Sequence, residues 1–336
     1  MTVGTDLGCG GSSMFFRAAW FILTVFILGP AWAQDGQAVR VGLLKFGTVS
    51  WEVDTIRHHG LDRKHGIVVT PVEFASNEAA KVALQAGAVD LIVTDWPWVA
   101  RQRGEGAAFS FIPYSKAVGV LMLPSGSKIE TPADLKGKRI GVVGGPLDKS
   151  WLLFRAYTQK KFGIALADVS EPVFGAPPLL NEELARGRID AILTYWHYAA
   201  RLEAEGAKPL LSVSDMIHEL GVTHDVPMLG YAFREEWGAR EGKRLESFAI
   251  ASQEAKALLA GSKDEWARLA PQIGTDNPAA LTALQKGFRA GIPERWAEAE
   301  RCSAMDLYAI LVAVGGEKLV GRATSVDPKT FWPLTY

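Results

Sequence analysis

Five stretches of this 336-residue chain set aromatic rings, and in one case a carboxylate, at or just after an apolar run. They are Phe46 to Trp51, Asp95-Trp96-Pro97-Trp98, Ser150-Trp151, Tyr195-Trp196-His197-Tyr198 and the segment around Tyr231. Five of the eleven tryptophans (51, 96, 98, 151 and 196) fall here. Indole and phenol faces stack on planar heterocycles and attract cations, and a carboxylate in a partly dry cleft accepts hydrogen bonds from an amine. A Trp after a strand also seals the apolar layer beneath a helix, a role that suffices for any one of them taken alone. The gathering of so many sets the expected ligand-binding residues: Phe46, Trp51, Asp95, Trp96, Trp98, Ser150, Trp151, Tyr195, Trp196 and Tyr231.

Charge separates the possible ligands. A sulfonate or nitrate calls for Arg, Lys or helix N-terminal amides. The nearby cations are few, Lys45 and Lys149, and they face Glu52, Asp54 and Asp95. That balance favours an aromatic, heterocyclic or amine-bearing ligand, with amides around Gly144-Gly145 keeping an anion as the alternative. Gly144 to Ser150 lacks the Gly-Lys-Ser/Thr of a Walker loop, and neither a nucleophile elbow nor Gly-x-Gly-x-x-Gly occurs. The histidines (58, 59, 65, 197, 218 and 224) lack the spacing that puts two imidazoles on one helical face. No catalytic residue, metal or cofactor is expected.

Lys plus Arg number 36 and Asp plus Glu 37, so no basic excess points to nucleic acid as a partner. At 48% hydrophobic residues the composition is globular. Residues 1–33 read as a removable secretory signal. Arg17 precedes the apolar run Ala18 to Leu28, Gly29-Pro30 breaks it, and Ala31-Trp32-Ala33 supplies a cleavage site before Gln34. The run is too short to span a bilayer, and translation could start at Met1 or Met14. Cys9 would leave with the signal, and Cys302 alone cannot close an intramolecular disulfide.

The elements that must position the candidate residues alternate strand and helix. Val39 to Phe46, Ile67 to Val72 and Val89 to Thr94 read as strands around helices Trp51 to His59 and Glu78 to Ala86, the βαβ pattern of a mostly parallel sheet. The pattern restarts with strands Gly119 to Leu123, Arg139 to Val143, Val169 to Phe174 and Ile189 to Thr194. Ala86-Gly87-Ala88-Val89-Asp90 and Arg186-Gly187-Arg188-Ile189-Asp190 repeat one design, a helix that ends at Gly and turns through Asp into an apolar strand. After a strand at Met228 to Phe233 the chain turns helical. The repeat predicts lobe 1 from 38–121 plus 230–336 and lobe 2 from 122–229, with crossings near Val118–Leu123 and Pro227–Phe233. Ligands of open α/β sheets bind beyond the carboxyl ends of strands, which puts the cleft between the lobes.

Thr131-Pro132-Ala133-Asp134-Leu135-Lys136-Gly137-Lys138-Arg139-Ile140-Gly141-Val142 resembles the P-x-D-L-K-G-K-x-I-G-V stretch that opens the second lobe of many ABC-transporter solute-binding proteins. Gly60-Leu61 to Val69 resembles their G-L-x-x-x-x-G-I-x-V segment. With the two Gly-x-x-Asp strands, residues 38–235 resemble the nitrate/sulfonate/taurine (NitT/TauT) group, which includes thiamine-pyrimidine binders. The resemblance implies an α/β, periplasmic-binding-protein-like fold: two doubly wound lobes, two crossings, and a ligand cleft between. It implies an exported, periplasmic, monomeric binding protein without enzymatic activity. Such a protein captures a small-molecule ligand and delivers it to an ABC permease at the inner membrane. Alternatives are a sulfonate/nitrate-type anion binder of the same fold, a pyrimidine-synthesis-like enzyme on it, or a sensory partner. The enzymes act inside cells and carry a cysteine-rich motif that this chain lacks.

Overall fold

A computed structural model describes residues 37–45 and 47–334; the expected signal segment, Cys9 and Phe46 lie outside the described residues. The chain begins β1 (Ala38–Leu44), α1 (Val49–His58), α2 (Leu61–Lys64), β2 (Val68–Phe74), α3 (Asn77–Gln85), β3 (Leu91–Asp95), α4 (Trp96–Gly104) and β4 (Phe109–Ser115). It continues with β5 (Gly119–Leu123), β6 (Arg139–Val143), α5 (Lys149–Phe162), α6 (Leu166–Val169), β7 (Glu171–Gly175), α7 (Pro177–Ala185), β8 (Ala191–Tyr195), α8 (Trp196–Ala204), β9 (Lys208–Ser212) and α9 (Val213–Glu219). β10 (Leu229–Arg234) then leads into α10 (Glu235–Arg240), α11 (Gly242–Gly261), α12 (Lys263–Ile273), α13 (Pro278–Gly291) and α14 (Glu298–Val320).

The strands form two five-stranded sheets, ordered β2-β1-β3-β10-β4 and β7-β6-β8-β5-β9. In the first, β1 runs parallel to β2 and β3 while β10 runs antiparallel to β3 and β4. The second repeats this plan, with β6 parallel to β7 and β8, and β5 antiparallel to β8 and β9. β10 joins the first sheet only after the chain has built the second, so the chain passes between sheets twice, at 116–118 and at 220–228. Gly119, Val120 and Leu121 pair with β8 and so stand in the second sheet, although the sequence reading gave them to the first lobe.

The repeated motif does one job in two places. Arg40 N–H donates to the Asp90 carboxylate (2.8 Å) and Asp90 N–H returns to Arg40 O (2.9 Å). Arg139 and Asp190 make the same pair of bonds, each at 2.8 Å. Gly87 and Gly187 end the preceding helices at φ 75° and 67°, where a side chain would be strained. Helix stop, turn and strand register are thus fixed together in each half.

β4 and β9 are absent from the sequence reading, and both contain a proline, Pro113 and Pro209. Each is the edge strand of its sheet, so the missing proline N–H leaves no central ladder bond unmade. Helix α14 packs on α4 and α5, and the segment after it brings Phe331 against Trp96 and Phe111. Among the described residues no helix is long and apolar enough to cross a membrane.

Candidate ligand-binding site

The carboxyl ends of strands from both sheets meet at a cavity of about 150 Å³. Gly47, Thr48 and Val49 at the start of α1, with Tyr114 and Asp95, form its first-sheet side; Lys149, Tyr195, Trp196 and His197 close it from the second. Of the expected residues, Asp95, Tyr195 and Trp196 line this cavity, and Trp98 lines a larger space that opens from it.

Among the described residues, the expected Trp51, Trp96, Ser150, Trp151 and Tyr231 line neither space. Trp96 is fully buried, its ring centroid 5.8 Å from those of Tyr308 and Phe331. Trp151 packs against Phe154 and Phe174 in the second half of the core. Both stand in the first turn of a helix and point into the apolar layer, which is the sealing role. Trp51 makes edge contacts with Trp196 (6.2 Å) and Trp266 (5.7 Å), so it supports Trp196 from behind. Ser150 is buried, with no partner for its hydroxyl. Tyr231 is buried and donates its hydroxyl proton to Glu52 Oε1 at 2.8 Å.

Trp196 can reach its place because α13 carries Gly287 there; a Cβ at 287 would come within 2.8 Å of the indole.

Four helices begin at the strand ends, and their caps divide them. Asp95 accepts the Trp98 N–H at 3.0 Å, and Asp148 accepts the Ser150 N–H at 2.8 Å, so α4 and α5 each carry their own anion. α1 and α8 have Thr48 and Tyr195 at the cap position and no side-chain cap. Their first residues line the cavity, Thr48 and Val49 from one sheet and Trp196 and His197 from the other, so both positive helix ends border it, although the Trp196 N–H is taken by Val118 O and the Ser50 and Trp51 N–H groups by Gly47 O and Thr48 O. A helix end of this kind is an anion site in waiting.

The side chains agree with that sign. Burial opposes the charge on Lys149, but the Asp148 and Asp95 carboxylates outweigh it and hold the ammonium above its ordinary value. Burial, helped by the positive charge of Arg201, pushes His197 down to about 3, so its imidazole is neutral. Burial first, then Asp148, raises Tyr195. The Tyr114 hydroxyl lies 3.5 Å from that of Thr48. Behind Tyr114 is a closed ionic group in which Lys256 meets Glu52 at 2.7 Å and sits 4.7 Å over the Tyr114 ring.

Thr48, Lys81, Tyr114 and His197 were not expected in the site. Thr48 and His197 stood inside stretches already singled out. Thr is itself a common helix cap, so the sequence did not show that α1 starts without a side-chain cap. Tyr114 carried no signal, because its strand was unseen.

A family profile described as NMT1/THI5 like matches residues 57–265. A curated Escherichia coli (strain K12) relative named "Putative aliphatic sulfonates-binding protein" is 25% identical over 271 residues, covering 78% of this chain and 80% of that protein. The crystal structure of the periplasmic aliphatic sulphonate binding protein SsuA from Escherichia coli superposes with a TM-score of 0.69 at 19% identity, covering 88% of this chain and 92% of that one. The alkanesulfonate-binding protein SsuA from Xanthomonas axonopodis pv. citri, bound to MOPS, gives 0.66 at 20% identity, with 88% and 98% covered. These structures share the periplasmic-binding-protein-like architecture of two α/β lobes. The chain belongs to the NMT1/THI5-like family.

Proposed function

We propose that the protein is the periplasmic receptor of an ABC importer and that its ligand is a sulfonate. One observation carries the ligand class: the N-termini of α1 and α8, which have no side-chain cap, border one cavity from opposite sheets, and Lys149 lines the same cavity. Asp95, the carboxylate that had favoured an amine, is engaged as the cap of α4. The names of the relatives support the same class. In this reading Thr48 and Tyr114 donate hydroxyl hydrogen bonds to the sulfonate, Lys149 supplies charge, and Trp196 with neutral His197 forms the apolar wall. Lobe 1 is the first sheet with its helices and lobe 2 the second. They close on the ligand about the two crossings, and the monomer, exported by its N-terminal signal, presents the closed form to the permease.

Calorimetric titration of the mature chain with ethanesulfonate, nitrate and an aminopyrimidine tests this. Ethanesulfonate is expected to bind and the aminopyrimidine to give no heat. The reverse order would restore the amine reading.

A further inference from the structure

Trp196 is the first residue of α8 and borders the ligand cavity, yet what holds its ring comes from elsewhere in the chain. α13 packs along α8 and against α11 and α12, and α12 reaches α1. Together they bury a small apolar core around Trp51, Leu259, Trp266, Leu284 and Phe288, with Trp196 against its edge. Four rings follow one another through it. Trp196 meets Trp51 at 6.2 Å, Trp51 meets Trp266 at 5.7 Å, and Trp266 meets Phe288 at 5.9 Å, each edge to face. Trp266 is fixed in turn, because its Nε1–H donates to Leu259 O at 2.7 Å.

Gly287, next to Phe288, brings the series back to the indole. A Cβ there would lie 2.8 Å from Cε3 and 3.0 Å from Cζ3 of Trp196. Carbons in contact keep about 3.5–4.0 Å apart. The backbone gives no reason for glycine, since position 287 is inside α13 and its φ is not in the left-handed region. Glycine is a poor helix former, so its place in mid-helix is explained by the room it leaves for the ring. Neither α13 nor Trp51 borders the cavity, so the indole stands between this seat and the ligand space. A ring pushed off the seat moves into a cavity of only about 150 Å³.

We infer that Gly287 and Trp51 are positioning residues for the ligand wall. They seat the Trp196 indole at the depth that leaves the cavity open, so the C-terminal helices set its width. This rests on the reading of that cavity as a sulfonate site.

The test is a cycle of Gly287→Ala and Trp196→Phe, alone and combined, read by thermal denaturation and by titration with ethanesulfonate. At an open helical position Gly→Ala stabilises. In the wild-type background it is expected instead to lower Tm and to weaken ethanesulfonate binding at least about fivefold. Phenylalanine lacks the fused ring that reaches position 287. In the Trp196→Phe background the same substitution is therefore expected to raise Tm and to change affinity less than about twofold. A rise in Tm when Gly287→Ala is made in wild type overturns the inference. Affinity kept within about twofold in that variant also overturns it, because the seat is then packing alone. So does an equal loss of affinity in both backgrounds, since the methyl group would be acting without the indole. Failure of wild type to bind ethanesulfonate is a different result: it overturns the reading of the cavity as a sulfonate site, and the inference falls with it. Should Gly287→Ala alone not fold, Trp51→Phe decides, because it withdraws the other support. It is expected to weaken binding at least about threefold, and unchanged affinity overturns the inference.

Discussion

Lys116 Nζ lies 2.5 Å from Asp225 Oδ2, and this pair ties together the two segments by which the chain passes between its sheets. His218 Nε2 approaches the other carboxylate oxygen at 3.1 Å, and the Lys116 N–H donates to Gly291 O. Lys116 is the main reason the Asp225 carboxyl is held below its ordinary value. The pair is partly exposed, so it contributes about 1 kcal/mol or less. Position matters more than strength here, because lobes that close on a ligand must bend at the crossings. Lys116→Gln and Asp225→Asn are each expected to enlarge the ligand-free particle in small-angle scattering. Apparent affinity should fall by up to about fivefold, as the closed state loses population. An unchanged radius of gyration and affinity in both variants sinks the clasp.

Trp96 and Trp196 occupy equivalent places after β3 and β8, and their substitutions should differ in kind. Trp96 has no exposed surface and packs among Tyr308 and Phe331. Trp96→Ala is therefore expected to cost about 3–5 kcal/mol of stability, read by urea denaturation. Trp196 stands half-buried in the cavity wall, backed by Trp51. Trp196→Ala should weaken ligand binding about tenfold with a much smaller loss of stability. Binding lost by Trp96→Ala at full stability would put that ring back in the cleft.

How legible the site was depended on which level of structure each residue obeys. Asp90 and Asp190 were readable because a helix stop at Gly and an Asp before an apolar strand are local patterns, and the bonds to Arg40 and Arg139 follow from them. The aromatic strand ends were readable as a group, since two sheets meeting at their carboxyl ends put such stretches near one cavity. Which ring faces in was not. Trp96 and Trp98 are two residues apart on one helix, and helix geometry turns one into the core and the other toward the cleft. The role of the carboxylate at the site was hard to read for a similar reason. Asp95 was counted as a free carboxylate, yet an Asp two residues before Pro97 at a helix start is a cap in the making. Tyr114 lay beyond reach, because Pro113 disguised its strand and only the sheet order shows that strand to be an edge.

The ionic group behind the site gives a third expectation. Glu52 is fully buried; its Oε1 accepts from Tyr231 (2.8 Å) and Ser252 (2.5 Å), and its Oε2 lies 2.7 Å from Lys256. Burial pushes Lys256 below its ordinary value, and Glu52 restores part of that. Removing one partner leaves a buried charge alone, which costs about 3–5 kcal/mol. Lys256→Met should therefore destabilise strongly in urea denaturation, while the double variant Glu52→Leu with Lys256→Met recovers much of the loss. Additive losses in the double variant would mean that the two charges do not see each other. Because Tyr114 packs under the Lys256 ammonium and lines the cavity, the single variant should weaken ligand binding as well.

His197 supplies a pH dependence whose sign can be worked out. It is the second residue of α8, between the rings of Tyr195 (6.2 Å) and Tyr198 (4.6 Å), and burial lowers it from 6.5 to about 3. Between those values the unfolded chain binds a proton that the folded protein refuses. The unfolded state then holds more protons, so stability rises with pH across this window. The contribution of His197 is complete above pH 6.5 and is progressively lost as pH falls toward 3. His197→Gln keeps a neutral side chain of similar polarity and cannot charge. On going from about pH 7.5 to about pH 4.5 its Tm should fall several degrees less than that of wild type. The comparison cancels the carboxylates, which titrate alike in both proteins. Equal losses in the two would mean that His197 takes up its proton at an ordinary pH, and that water reaches the wall on which the sulfonate is proposed to rest.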